Sequence, residues 1–250
     1  MTDKQPTNIR LSTLTVNPQY ADMRDFIILS INNFAEGEPV YVGRNELRRF
    51  CCDGHEYVFK SFRKPNAVNR LVYGFLRSSK AERSYRHALL ISNIGIGTPA
   101  PVAFAESRHG MLFGNSYYIS AASECRHTYD DLFHDEKSYS EEVCREVGRI
   151  TAVMHSHGYA HLDYGRGNIL FGSVNGQLRV ELVDLNRMYI GAPLGMDAGC
   201  RNFERLPATP QMHRWMAEEY AKARGFDVEK CFNLMQRYRS TQPGKIDGKY

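Results

Sequence analysis

Apolar and polar positions along this chain separate a strand-rich first half from a helical second half. Residues 1–21 read as an irregular or extended lead-in. Met23, Phe26, Ile27, Ile31 and Phe34 then recur at helical spacing and predict a helix over 22–34, closed by Gly37 and Pro39. Residues 40–42, a run ending at Cys52, and 55–62 read as strands, with turns at Gly43-Arg44-Asn45 and Asp53-Gly54. An Asp-Gly pair between two strand-like runs is a strong hairpin signal. Pro65 ends the last of these strands, and a basic helical region follows over 66–93 until Gly95, Gly97, Pro99 and Pro101 break it. Residues 102–106 and 116–122 predict two further strands around a His109-Gly110 turn. Beyond them the spacing becomes helical over 139–157, 210–224 and 228–240, with short strands at 168–172 and 178–183 around Asn175-Gly176. Five strands and one helix thus precede a mainly helical half. The expected organisation is a lead-in and helix over 1–36, an N-terminal lobe over 37–123 and a C-terminal lobe over 124–250, together one domain.

Composition narrows the class without naming it. The chain has 250 residues, 42% apolar and 24% charged, which excludes disordered, collagen-like and disulfide-scaffold proteins. The longest purely apolar run is about Phe26 to Leu29, far below the roughly 20 residues a membrane-spanning helix needs. The start, MTDKQPTNIR, lacks the apolar core of a secretory signal, so a cytoplasmic protein is expected. Six cysteines form no CxxC pair and no zinc-like spacing, and read as reduced packing thiols.

Charge is placed unevenly. Residues 44–87 carry +7, against −3 for the rest of the chain. Such an excess points to an anionic partner: a nucleotide, a phosphorylated substrate, nucleic acid or an acidic membrane surface. The basic stretch from Arg63 to Arg86 is interleaved with Leu71, Val72, Tyr73 and Phe75. It reads either as a solvated helix or as a surface for anionic lipid, with the protein then peripheral at the inner membrane. No recognisable binding module accompanies it, and nucleic acid is not expected as a partner.

Candidate chemistry lies between His161 and Asp184. His161-Leu162-Asp163 begins an H-x-D-x-x-x-x-N pattern ending at Asn168, and Asp184 stands sixteen residues further on, after Leu182-Val183. Asp163 can take a proton from a hydroxyl, while Asn168 and Asp184 offer the oxygen ligands Mg²⁺ prefers. That is the polar set phosphoryl transfer requires. Lys60 supplies a cation: strand alternation puts Val58, Lys60 and Phe62 on one face, with Val58 under an adenine ring and Lys60 reaching the α/β-phosphates of ATP. Glu82, 22 residues on, is the candidate carboxylate to anchor Lys60. Its alternative is an ion pair with Arg83 or Arg86, and Glu106 is a rival anchor. His161 reads as pinning the loop by hydrogen bonds, in preference to a metal site with His155 and His157, because Gly158 interrupts the helix.

In order and rough spacing, Lys60, Glu82, the H-x-D-x-x-x-x-N loop and Asp184 resemble the protein-kinase-like fold. With Gly43-Arg44-Asn45-Glu46-Leu47, Ser79–Tyr85, Gly95–Pro101, Gly167-Asn168-Ile169-Leu170 and Asp184-Leu185-Asn186-Arg187, residues 35–240 resemble the bacterial lipopolysaccharide kinase family, of InaA or Kdo/heptose kinase type. The resemblance implies an α+β two-lobed fold, with a small antiparallel N-lobe carrying one main helix and a helical C-lobe. It also implies ATP with Mg²⁺ and a sugar hydroxyl of the lipopolysaccharide inner core as acceptor. Asp163 would be the base, Asn168 and Asp184 the metal ligands, Lys60 the phosphate binder and Glu82 its anchor. Three departures stand out: there is no G-x-G-x-x-G loop, D-L-N-R replaces D-F-G, and no A-P-E segment follows. The alternatives are a kinase of another small molecule or of protein side chains, and a non-catalytic nucleotide-binding pseudokinase. Arg166 and Arg187 flank the expected transfer site, where either could steady phosphate or an anionic acceptor, although structural ion pairing is the commoner fate of such arginines.

Overall fold

The computed structural model describes residues 9–62, 78–109, 112–133 and 140–240. The chain forms two compact units, one of residues 1–89 with 99–122 and the other of 90–98 with 123–250.

The first unit is built on six antiparallel strands: β1 (Leu11–Val16), β2 (Glu38–Val42), β3 (Glu46–Cys52), β4 (His55–Phe62), β5 (Pro101–His109) and β6 (Leu112–Ala121). Their order is β1-β5-β6-β4-β3-β2. Asp53 and Gly54, between β3 and β4, both have positive φ (49° and 78°), as a two-residue type I′ turn requires. One strand exceeds expectation, because the lead-in contains β1, paired antiparallel with β5. A register shift between Leu11 and Thr13 breaks the period-two alternation that marks a strand, so the pattern is blurred in the sequence.

Alternation along β4 sets the two faces of this sheet. Tyr57 and Phe59 lie in a core with Ile27 and Ile31 of α1 (Arg24–Asn32), with Val102 and Ala105 of β5, and with Tyr117 and Ile119 of β6. Ile27 and Ile31, one turn apart, share a helix face and are fully buried. Each such side chain contributes about 1.5–3 kcal/mol. Phe62, two residues along from Lys60, packs in a second cluster with Phe104 and with Ala81 and Tyr85 of α2 (Lys80–Asn93). A cap fixes the start of α2: Ser79 Oγ accepts the Glu82 N–H at 3.0 Å, the S-x-x-E arrangement. Of the basic region expected to be helical over 66–93, residues 66–77 lie outside the described residues.

The second unit holds α3 (Ser140–Ser156), α4 (Met196–Arg201), α5 (Pro210–Arg224) and α6 (Val228–Ser240). It also has two small sheets, ordered β10 (Gln177–Leu182), β9 (Ile169–Val174), β7 (His127–Thr128), and β11 (Met188–Ile190) beside β8 (Tyr159–His161). Local signals delimit α5: Thr209 Oγ1 accepts the Met212 N–H, Pro210 opens the helix and Gly225 closes it at φ 65°. The buried stripe of α3 (Val143, Val147, Ile150, Thr151, Met154) repeats every three or four residues. Gly148 lets α3 approach α5, since a Cβ there would crowd the Met216 backbone. Residues 94–98 lie along β10, where the Leu182 N–H donates to the Gly97 carbonyl at 2.8 Å. A side chain at Gly97 would collide with the Val180 carbonyl.

Candidate active site

Two chain segments of the second unit meet at β8 and β11, where His161 pairs with Met188. Past that pair the chain forms the 162–168 loop and, from β10, the turn at Asp184. Three hydrogen bonds tie them together: the Leu162 N–H donates to the Arg187 carbonyl (2.9 Å), the Val183 N–H to the Asn168 carbonyl (3.0 Å), and His161 Nε2 to the Val183 carbonyl (3.0 Å). His161 Nδ1 accepts the Asp163 N–H at 3.1 Å, which places the proton of this buried ring on Nε2. Asn168 Nδ2 donates to the Asp163 carbonyl at 2.8 Å. Asp163, Asn168 and Asp184 are therefore set by one continuous scaffold.

Buried polar groups support this scaffold from behind. The Tyr220 hydroxyl of α5 donates to His155 Nδ1 (3.0 Å), His155 Nε2 donates to Asn202 Oδ1 (3.0 Å), and Asn202 Nδ2 donates to the His161 carbonyl (2.9 Å). Burial drives the His155 pKa down to about 4, with nearby Arg224 acting in the same direction and the Asn202 bond opposing it, so the ring is neutral. Gly199 makes room for the chain, because a Cβ there would collide with the Tyr220 hydroxyl. His157 is spent locally, its Nδ1 on the Val153 carbonyl.

Asp163 itself is part-exposed and flanked by arginines. Arg205 Nη1 donates to Asp163 Oδ1 at 2.9 Å, and Arg187 Nη1 lies 3.8 Å from Oδ2. Arg166 instead pairs with Asp130 at 2.9 Å. Neither Arg205 nor Asn202 stands out in the sequence, since each lies some forty residues from the loop it meets and belongs to no motif. Leu162 and Tyr164, on either side of Asp163, line a cavity of about 540 Å³ whose polar wall includes Arg201, Glu204 and Arg205.

The donor set at the Asp184 turn suits a magnesium ion. Asn168 spends its NH₂ on the loop and keeps its carbonyl oxygen as a ligand atom, while Asp184 brings a carboxylate steadied by the Asn186 amide. Both are hard oxygen donors, and Mg²⁺ takes only one or two protein ligands beside phosphates and water. Asp184 adopts φ 58°, a left-handed conformation uncommon for a non-glycine residue and frequent at functional turns.

In the first unit, Val58, Lys60 and Phe62 follow the alternation of β4, with Lys60 in register with Leu47 of β3 and Tyr118 of β6. The Lys60 ammonium stands 5.3 Å from the Phe62 ring centroid. Glu82 completes the cap of α2 and pairs with Arg86 at 3.3 Å, the ion-pair reading of this residue. Four of the six cysteines are buried free thiols, and burial pushes Cys144 up to about 12. No helix among the described residues is long and apolar enough to cross a membrane.

Residues 43–222 match the model of the lipopolysaccharide kinase (Kdo/WaaP) family. A curated relative, the 3-deoxy-D-manno-octulosonic acid kinase of Vibrio cholerae serotype O1, is 26% identical over 137 residues. That alignment covers 52% of this chain and spans only 56% of the relative's length. Among solved structures, WaaP in complex with acyl carrier protein superposes with a TM-score of 0.60 at 15% identity, over 92% of this chain and 97% of that one. The fold shared with that structure is α+β, with an antiparallel sheet in the N-terminal part and helices in the C-terminal part.

Proposed function

The chain belongs to the lipopolysaccharide kinase (Kdo/WaaP) family, and we propose that it transfers the γ-phosphoryl group of ATP to a sugar hydroxyl of the lipopolysaccharide inner core, on Kdo or heptose. The observation that carries this reading is the hydrogen-bonded scaffold that sets Asp163, Asn168 and Asp184 together.

Asp163 orients the acceptor hydroxyl and takes its proton as the oxygen bonds to the γ-phosphorus. The bond from phosphorus to the β-bridging oxygen breaks, and ADP leaves. Mg²⁺, when bound by Asn168 and Asp184, supplies neutralisation of β/γ charge. Lys60 positions the phosphates with Val58 beside the adenine, Glu82 turns from its exposed pair with Arg86 to anchor Lys60, and His161 holds the loop backbone. Most of the acceleration comes from positioning and electrostatics, because loose phosphoryl transfer leaves little covalent work to the protein. Peripheral attachment to anionic membrane through 63–86 is part of the proposal. It requires vesicle binding that weakens with salt and is lost when Arg63, Lys64 and Arg70 are neutralised.

The test is transfer of label from γ-³²P-ATP to deacylated lipopolysaccharide core. Label should enter the sugar fraction. Asp163→Asn should lower turnover by about 10²–10⁴-fold while sparing ATP binding, since it removes the base and keeps its shape. Tight Mg-ATP binding without transfer would point to a pseudokinase, and full activity of the variant would exclude Asp163 as base.

A further inference from the structure

We propose that the cavity beside Asp163 is the acceptor subsite, and that Arg205, with Arg187, binds there the carboxylate of an acidic sugar, in exchange for its present bond to Asp163. The inference rests on the kinase reading above and specifies what that kinase selects.

The position of the cavity follows from the loop. Leu162, Tyr164 and Arg205 line it, and Arg205 bonds the Asp163 carboxylate at 2.9 Å, which puts that carboxylate at the rim. At about 540 Å³ it falls within the roughly 300–1,000 Å³ of small-molecule sites. Its walls leave two large apolar side chains exposed, Leu162 at 51% and Tyr189 at 39%, which the C–H face of a sugar ring can cover.

The polar wall indicates the charge of the guest. Arg201 already has Glu204 at 3.5 Å. Arg205 points its guanidinium at the carboxylate of Asp163, and Arg187 approaches the other oxygen. Two cations therefore converge on one planar carboxylate at the cavity edge, and both are about half exposed and able to swing. Exposed pairs of this kind are weak, so another carboxylate can displace Asp163 with little loss, and the guanidinium fork fits either one. The displacement has a chemical consequence. While Asp163 Oδ1 accepts from Arg205, one of its oxygens is engaged; once the guest takes Arg205, that oxygen turns to the acceptor hydroxyl. A neutral sugar fills the same space without releasing the base.

Two probes with identical hydroxyls separate charge from shape: the methyl glycoside of 3-deoxy-D-manno-octulosonic acid and its carboxyl methyl ester. The readout is the ratio of kcat/KM for acid over ester, followed by ADP release, in the wild type, Arg205→Ala and Arg205→Lys. The ratio cancels any general slowing caused by disturbing Asp163. The wild type should favour the acid by about 10- to 100-fold, the range of a lost charge-assisted hydrogen bond. Arg205→Ala should bring the ratio near one, and Arg205→Lys, which keeps charge but not the fork, should fall between; the lysine variant alone suffices if the alanine variant does not fold. A wild-type ratio near one, or an unchanged ratio in the variants, overturns the subsite. No transfer to the acid by a wild type that does phosphorylate deacylated lipopolysaccharide core overturns the subsite alone, and no transfer to either acceptor overturns the kinase reading with it.

Discussion

Lys60 and Asp163 are held by different kinds of structure. Lys60 stands inside β4, with ladder partners in β3 on one side and β6 on the other, so its backbone is set by many equivalent bonds. Asp163 stands in a loop that has a few backbone bonds and otherwise depends on side chains: His161 and Asn168 directly, then Asn202, His155 and Tyr220 behind them. Removing one side chain from the first arrangement leaves the ladder standing. Removing one from the second strands its neighbours as unsatisfied buried groups, each costing about 1–3 kcal/mol. The first unit is therefore expected to tolerate substitution around its candidate residue, and the second to be brittle.

That contrast can be broken, most directly by kinetics. The Asp163→Asn loss already described should dwarf that of Lys60→Ala, which is expected to raise the nucleotide KM by roughly tenfold or more with the melting temperature unchanged. A Lys60→Ala variant that unfolds would show that β4 depends on the side chain and not on the ladder.

Next in size comes His155→Ala. It should destabilise the protein by about 2–4 kcal/mol in urea unfolding, by orphaning Tyr220 and Asn202 and opening a cavity. It should also lower kcat while leaving ATP affinity in place, because Asn202 loses its orientation toward the His161 carbonyl.

Acid should sharpen the same difference. His155 and His213 are both buried in the second unit, with burial lowering each pKa to about 4, helped at His213 by Arg239. Unfolded histidine titrates near 6.5. The folded form is thus favoured in full above that pH, and the advantage is lost as pH falls from about 6.5 to 4, up to about 3 kcal/mol for each ring. Hydrogen exchange should show α3 and α5 losing protection in that window before β4 and β6. Earlier loss in the sheet would contradict it. The smallest effect belongs to Glu82→Gln: its exposed pair with Arg86 is worth about 0.3–0.5 kcal/mol, so a much larger drop in kcat/KM for ATP would support the anchoring role.

Much of the architecture was legible because its causes are local. Asp53-Gly54 and Asn175-Gly176 mark their hairpins, and Thr209, Pro210 and Gly225 bound α5 at the residues where it begins and ends. The H-x-D-x-x-x-x-N loop and its neighbours carried the family resemblance that residues 43–222 match. β1 escaped because a bulge disturbs its alternation. For Glu82 the sequence offered a lysine anchor or an ion pair with Arg83 or Arg86, and the fold places it against Arg86.

By itself, then, the sequence determined the type of the longer described helices and of strands β2 to β6, the Asp53-Gly54 and Asn175-Gly176 turns, the face of β4 that bears Lys60, and the chemical kinds of residue at Asp163, Asn168 and Asp184. Those depend on spacings of two to five residues, within which backbone geometry leaves few choices. Only the tertiary structure decided that Arg205 meets Asp163, that Asn202 links His155 to the loop, and that Leu162, Tyr164 and Arg205 line one cavity. Such contacts join residues some forty positions apart, and their pairing is set by how the helices of the second unit pack.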